Sequence, residues 1–128
     1  MQPLRSRPRT DPRSTAERFG RHGEAWAAWF LRAKLYRIVA RRVKTPVGEI
    51  DLVASRFGIT IFVEVKARQS RRVELEALLA VNQRRIVRAA EYYVALHPRL
   101  AATPLRFDVI FLAPLSWPRH VMNAFDAS

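Results

Sequence analysis

The sequence lacks cysteine and contains only three histidines among its 128 residues. Without cysteine neither a disulfide framework nor a thiolate zinc site can form, and the three histidines are too scattered for metal-ligand spacing. No run approaches the roughly 18 apolar residues of a membrane span, and the amino-terminal region has no hydrophobic signal core. We therefore expect a cytoplasmic protein with no membrane partner. The sequence also has no P-loop, no GxGxxG loop, no nucleophile elbow and no internal repeat.

Acidic residues are scarce, because 11 Asp and Glu stand against 23 Lys and Arg, for a formal net charge of +12. This balance favours a polyanionic partner, with nucleic acid as the leading candidate. Only Lys34, Lys44 and Lys66 are lysines, so a genome-wide preference for arginine codons is an alternative explanation of part of the charge.

The length indicates one domain with a substantial core. Residues 1–13 hold three prolines and four arginines with almost no apolar content. We predict that they form a disordered basic tail and that residues 14–128 form the domain.

Two apolar-rich runs, Gly48–Ser55 and Ile59–Ala67, are separated by Arg56-Phe57-Gly58, whose glycine suits a turn with positive φ. We predict that they are paired antiparallel strands. Side chains alternate along a strand. The alternation places Glu64 and Lys66 on one face of the second strand. It places Glu49 and Asp51 on one face of the first, with Ile50 and Leu52 opposite.

The acids and the lysine of this hairpin follow the spacing Asp51, twelve residues, then Glu64-Val65-Lys66. Burying such groups among β-branched neighbours is costly without a partner or a metal. Carboxylates are preferred ligands of Mg²⁺, which lowers the pKa of a bound water and neutralises charge on a phosphate. A lysine can position the water or stabilise the transition state. The alternative is a Glu64–Lys66 surface pair on a solvated sheet face.

This spacing resembles the D…ExK constellation of the PD-(D/E)XK nuclease superfamily. GEIDLVA and FVEVKAR, with GRHGEAWA upstream and RFDVIFL downstream, resemble the YraN-type family of uncharacterised bacterial proteins over about residues 18–126. That family is described as predicted endonucleases distantly similar to archaeal Holliday-junction resolvases. The resemblance implies an α/β, restriction-endonuclease-like fold with a central mixed β-sheet flanked by helices.

The resemblance also implies a site. Asp51, Glu64 and the backbone carbonyl of Val65 would hold Mg²⁺, or Mn²⁺ in its place, with Glu49 as a further acid and Lys66 beside the attacking water. Glu24 matches the acid of the family's GxxGE motif, so it would join the site from the first helix. The alternative for Glu24 is an ion pair with Arg21 or Arg32.

Helical patterns cover two segments. Ser14 to Glu17 fits a capping box, and the helix that it starts is predicted to reach about Leu35. Its inward stripe contains Gly20, Gly23, Glu24, Ala27, Phe30 and Leu31. Trp26 and Trp29 are predicted to pack in the core and at its rim rather than to stack on bases. A second helix is predicted from Val73 to about His97, after a loop at Gln69–Arg72.

The remaining strands are predicted at Tyr36–Val43, Leu105–Leu112 and Arg119–Phe125, with Lys44–Val47 as the connection into the hairpin. Arg106 and Asp108 lie two apart on one strand, and we interpret them as a structural pair. Asn82 stands where the related family usually carries lysine, which puts a cationic role at that position in doubt.

The arginines expected to contact nucleic acid surround these motifs, and a solvated strand edge is the alternative for those on the first strand. They are Arg41, Arg42, Arg68, Arg71, Arg72, Arg84 and Arg85. The leading hypothesis is a Mg²⁺-dependent endonuclease acting on DNA, with branched or junction DNA among the substrates. The alternative is a non-catalytic nucleic-acid-binding module on the same fold, and a third hypothesis is a scaffold with structural acids. A homodimer is a further expectation, because junction resolvases place two cuts symmetrically.

Overall fold

The structure is a computed structural model that describes residues 12–67 and 83–126, with side chains described from Gly23 onward. Within these residues there are two helices, five strands and one 3₁₀ turn. In chain order they are α1 (Pro12–Ala33), β1 (Arg37–Thr45), β2 (Gly48–Arg56), β3 (Ile59–Ala67), α2 (Gln83–Leu96), the 3₁₀ turn (Pro98–Ala102), β4 (Leu105–Leu112) and β5 (Arg119–Phe125).

The first helix is described from Pro12, ahead of the start predicted at Ser14. The predicted capping box therefore lies inside the helix. Residues 1–11 of the predicted tail, the predicted loop Gln69–Arg72 and the predicted helical residues 73–82 lie outside the described residues.

The five strands form one sheet in the order β1-β2-β3-β4-β5. The β3–β4 pair is parallel and the other three pairs are antiparallel. Parallel neighbours need a crossover connection, which here contains α2. The predicted α/β class is confirmed, with a mixed sheet flanked by helices that is compatible with a restriction-endonuclease-like fold.

The two hairpins are closed by short turns. At the β2–β3 turn both Phe57 and Gly58 have positive φ, 51° and 80°, as in the two-residue turns whose twist matches that of the strands. At the β1–β2 turn Thr45 still pairs with Gly48 and donates its hydroxyl to the Gly48 carbonyl at 2.6 Å. The predicted connection Lys44–Val47 is therefore shorter in the structure, with β1 extending to Thr45.

In the described part of the chain, α1 packs against one face of the sheet and α2 against the other, which explains why the strands are apolar on both sides. The core on the α1 side contains Ala27, Ala28, Leu31, Tyr36, Leu52, Ala54, Ile61, Val63, Ile110 and Leu112. The core on the α2 side contains Ile50, Val53, Phe62, Val87, Ala89, Ala90, Tyr93, Phe107, Val109, Phe111 and Phe125. Burying a side chain such as Phe62 or Leu52 contributes about 1.5–3 kcal/mol.

The regular alternation of β2 is interrupted at Asp51. Ile50 belongs to the α2-side core and Leu52 to the α1-side core, so the prediction that these two share a face is wrong. The register on either side, Arg41 with Leu52 and Val43 with Ile50, places Arg42 opposite Asp51. Arg42 has a φ of 50°, a left-handed conformation that is uncommon for a residue with a side chain. This backbone turn interrupts the pleat at the point where the acids lie.

Candidate metal centre

The strands β2 and β3 diverge at one end and leave a fork in the sheet. Their pairing runs from Arg56 with Ile59 to Leu52 with Val63 and ends there. Beyond that point β2 stays paired with β1, and β3 stays paired with β4 as far as Ala67. Asp51 bridges the fork, because the Val65 N–H donates to its Oδ2 at 2.8 Å. The Asp51 carboxylate thus accepts a hydrogen bond from the Val65 backbone at the point where β2 and β3 are no longer paired.

Three carboxylates converge on this fork. Glu24 from α1 and Glu49 and Asp51 from β2 each offer an oxygen, and the three oxygens lie within 4.8 Å of one another. A Mg²⁺ ion with ligands at about 2.1 Å spans about 4.2 Å between opposite oxygens. The three carboxylates are therefore suitable ligands for a divalent cation. A small decrease in the distances between their oxygens would bring them to the spacing of Mg²⁺ ligands. The structure brings Glu24 to the two hairpin acids.

The charge of Asp51 is poorly compensated in the protein alone. Burial raises the pKa of Asp51 to about 7, and nearby Glu64 and Glu24 act in the same direction against the Val65 N–H and Lys66. Such a carboxylate holds a proton near neutral pH or exchanges it for a cation, since bound cations reverse the local effect on pKa.

Glu64 and Lys66 form an ion pair beside the fork, with Lys66 Nζ 3.1 Å from Glu64 Oε1. Their side chains are only 18% and 27% exposed, respectively, so the pair is not the fully solvated one considered as the alternative. Glu64 lies outside the group of three carboxylates but close enough to Asp51 to raise its pKa. Val65 contacts the site through its N–H, whereas the resemblance implied its carbonyl.

Arg42 is the described ion-pair partner of Glu24, and its Nε donates to Glu24 Oε2 at 2.6 Å. The sequence alternatives for this partner were Arg21 and Arg32, and the sequence assigned Arg42 to nucleic acid. The left-handed backbone at Arg42 accompanies this contact. A residue held in such a conformation costs about 1–3 kcal/mol and persists when its surroundings over-determine it. Nothing in the local sequence signals this role.

Comparison with known proteins bears on the same residues. A sequence model described as "Uncharacterised protein family UPF0102" matches residues 23–112, which include Glu24, Glu49, Asp51, Glu64 and Lys66. The chain belongs to the UPF0102 family. This is the YraN-type family that the motifs indicated.

Relatives named only as UPF0102 proteins match this UPF0102 chain over most of their length. One from Bradyrhizobium sp. (strain ORS 278) is 51% identical over 116 residues, covering 91% of this chain and 82% of its own. One from Rhodopseudomonas palustris (strain BisA53) is 47% identical over 123 residues, covering 96% and 95%. One from Parvibaculum lavamentivorans is 44% identical over 131 residues, covering 98% of each.

Arginines of the UPF0102 chain gather on the other side of the fork, at the start of α2. Val47, Arg84, Arg85 and Arg88 line an open hollow of about 330 Å³. Arg85 Nε donates to the Val47 carbonyl at 3.3 Å, and a Cβ on Gly48 would lie 3.1 Å from Arg85 Cγ. The hollow therefore adjoins the start of the strand that carries Glu49 and Asp51.

The other predicted arginines are less informative. Arg41 is exposed on β1, while Arg68, Arg71 and Arg72, together with Asn82, lie outside the described residues. Arg88 was missed by the sequence analysis, although its i, i+4 spacing from Arg84 places both on one helix face.

A second buried carboxylate, Asp108, is fully satisfied. It accepts two hydrogen bonds from Arg106 at 2.8 Å, one from His120 Nε2 at 2.7 Å and one from the Asn123 N–H at 3.0 Å. Burial alone would raise the pKa of Asp108, but these hydrogen bonds lower it to about 2. Arg106 also donates to the Tyr36 hydroxyl at 2.7 Å. The contacts tie β4 to β5 and to Tyr36 in the connection between α1 and β1, which supports the structural interpretation of the pair.

Within residues 12–67 and 83–126, no helix of this UPF0102 protein is long and apolar enough to cross a membrane.

Proposed function

We propose that this UPF0102 protein is a divalent-cation-dependent endonuclease that hydrolyses phosphodiester bonds in DNA, with branched DNA among its substrates. The observation that carries the proposal is the convergence of the Glu24, Glu49 and Asp51 carboxylates in the strand fork, beside Lys66. Acids, a lysine and a basic surface are the groups that metal-assisted phosphodiester hydrolysis requires.

The acids, the lysine and the arginines would have different roles. Glu24, Glu49 and Asp51 would hold Mg²⁺ or Mn²⁺, with Glu64 close to Asp51 as a further acid. The cation would supply an activated water and neutralise charge on the phosphate. Lys66, fixed by its ion pair with Glu64, presents an ammonium group at the fork for the water or the phosphate oxygens. Arg84, Arg85 and Arg88 would contact the phosphates on the α2 side. A cytoplasmic location, with DNA inside the cell as the substrate, is part of the proposal.

A second candidate, a nucleic-acid-binding module that does not cut, is favoured by the arginine hollow and by the net charge of +12. Neither feature needs a metal. For both functions, affinity should fall with salt at a slope of about −0.9 per phosphate contacted on duplex DNA. Only metal-dependent turnover distinguishes the two functions.

The test is cleavage of labelled four-way junction, flap, duplex and single-stranded DNA with Mg²⁺, Mn²⁺ or EDTA. Asp51→Asn keeps an acceptor for the Val65 N–H while removing the charge, and Lys66→Ala removes the ammonium group. We expect both to lower the cleavage rate by about 100-fold or more and to leave DNA binding within a few-fold. Glu91→Gln and Arg99→Ala are controls, because both residues are exposed and outside the fork. Normal cutting by Asp51→Asn would refute the assignment.

A further inference from the structure

All three tryptophans of the chain are exposed to a large extent. The exposed fractions are 44% for Trp26, 65% for Trp29 and 81% for Trp117. The sequence predicted that Trp26 and Trp29 pack in the core and at its rim, and this is wrong for the described structure. The inward face of α1 is instead filled by Glu24, Ala27, Ala28 and Leu31. Clustered exposed aromatic side chains mark interaction surfaces.

Two of the tryptophans share one hollow. Trp26 of α1 and Trp117 of the β4–β5 loop line an open space of about 390 Å³, together with Ala113, Leu115 and Ser116. The loop has a turn, in which the Ser116 N–H donates to the Ala113 carbonyl at 3.3 Å. Pro118, directly after Trp117, is buried and anchors the far side of the loop.

This aromatic hollow, defined by Trp26, Leu115 and Trp117, opens at the same end of the sheet as the fork. The parallel register sets Ala67 beside Leu112, so β3 and β4 end together, and the loop with Trp117 begins after Leu112. A Cβ on Gly23 would lie 3.0 Å from Leu112 and 3.9 Å from Val65. The helical turn that carries Glu24 therefore rests on these strand ends, and Trp26 lies two residues further along the helix.

Cationic side chains accompany the aromatic ones. The Arg32 guanidinium lies 5.6 Å from the ring of Trp29 on the same helix, and Arg119 is exposed two residues after Trp117. Aromatic rings interleaved with arginines suit single-stranded nucleic acid, since bases stack on the rings and the cations follow the phosphates. In a continuous duplex the base faces are already stacked and unavailable. Because the chain has a net charge of +12, a polyanionic partner complements this surface better than a basic or neutral partner does.

We propose that Trp26 and Trp117 form a base-stacking platform for unpaired nucleotides of the substrate, next to the acid fork. The inference rests on the proposed function, because it takes the strand that would be cut as its ligand. It narrows the substrate class to nucleic acid with unpaired bases beside the phosphate, such as a flap or a splayed end. The arginine hollow on the opposite face of the same sheet end would take the paired portion.

The experiment measures binding in EDTA, so that no turnover is needed. An oligothymidylate and a duplex of equal length are titrated into the full chain while intrinsic tryptophan fluorescence and probe anisotropy are recorded. We expect the single strand to quench the fluorescence. Trp117→Ala and Trp26→Ala should each weaken single-strand binding by about 5- to 100-fold and change duplex binding by less than about two-fold. Trp117→Phe should restore most of the affinity.

Phe57→Ala is the matched control, because Phe57 is 82% exposed in the β2–β3 turn at the other end of the sheet. Absence of quenching, or equal losses for single strand and duplex, would overturn the platform. Concentration-dependent dimers that disappear in Trp117→Ala would also overturn it, since a second copy would then occupy the hollow. A chain that stacks single strands but cuts nothing would refute the nuclease alone, whereas cutting with unchanged binding by Trp117→Ala would refute the platform alone.

Discussion

Asp51 and Asp108 are both shielded carboxylates on the central sheet, yet their pKa values move in opposite directions. Asp108 accepts hydrogen bonds from Arg106, His120 and a backbone N–H, and its pKa falls to about 2. Asp51 accepts one backbone N–H and faces Glu64 and Glu24, and its pKa rises to about 7. Burial acts in the same direction on both, so the donors and charges around each carboxylate decide the outcome.

The comparison separates a group that stabilises the fold from one available for chemistry. The Asp108 network joins β4, β5 and the connection between α1 and β1. Among the described residues no buried side-chain N or O atom lacks a hydrogen-bond partner. The fork instead brings like charges together, and the cations described beside it are Arg42, paired with Glu24, and Lys66, paired with Glu64. Carboxylates held together in this way gain most from a bound cation, and perturbed pKa values of this kind cluster at functional sites.

The largest expected effect is on stability at Asp108. Asp108→Ala leaves the half-buried Arg106 without its carboxylate, and we expect a loss of about 3–5 kcal/mol in the free energy of unfolding at neutral pH. Urea denaturation followed by circular dichroism measures it, with Asp126→Ala as an exposed acid control. A loss below about 1 kcal/mol would mean that the network does not hold β4, β5 and the α1–β1 connection together.

The next largest effect is a gain in stability in Asp51→Asn, and its size depends on pH. The folded-state pKa of Asp51, about 7, lies above the ordinary value of 3.8, so the folded chain holds an extra proton between these values. The stability of the metal-free protein should therefore fall as pH rises through this window. Asp51→Asn removes that dependence. In EDTA it should be more stable than wild type by about 2–4 kcal/mol at pH 8, with little difference at pH 4.

Glu91→Gln serves as the control for this profile, because its exposed side chain lies outside the fork. Its stability should run parallel to wild type across the same pH range. If Asp51→Asn is less stable than wild type at pH 8, Asp51 resembles Asp108 after all and the contrast between them fails.

The smallest expected effect concerns Arg42, whose φ of 50° brings it to the acid fork. Arg42→Ala and Arg42→Gly both remove the ion pair with Glu24, but only glycine adopts this backbone without strain. We expect the glycine variant to be more stable than the alanine variant by about 1 kcal/mol in thermal or urea unfolding. Equal stability would show that the strand relaxes once the arginine is gone.

The sequence predicted what local periodicity controls. The bounds of β4 and β5 were predicted correctly, and β2 and β3 were predicted to within one residue, because alternating β-branched residues and a Phe57-Gly58 turn specify them locally. The D…ExK spacing also brought Asp51, Glu64 and Lys66 to one end of one hairpin. These features depend on neighbours in sequence.

The features that were missed depend on tertiary packing. Ile50 and Leu52 lie on opposite faces of the sheet at the point where the neighbouring strand has the left-handed Arg42. Arginine gives no local signal for positive φ. The exposure of Trp26 depends on what covers α1, which an amphipathic pattern does not specify. The pairing of Glu24 with Arg42 joins two elements 18 residues apart, so no short motif indicates it.

A calorimetric titration of Mg²⁺ and Mn²⁺ into wild type, Asp51→Asn and Glu91→Gln near pH 7, in buffers of different ionisation enthalpy, measures whether the fork binds a cation. We expect saturable binding to wild type and Glu91→Gln, with release of a proton as the cation replaces it on the acids, and loss of that binding in Asp51→Asn. Binding that is absent from wild type, or equal in Asp51→Asn, would contradict the assignment of the strand fork as a metal centre.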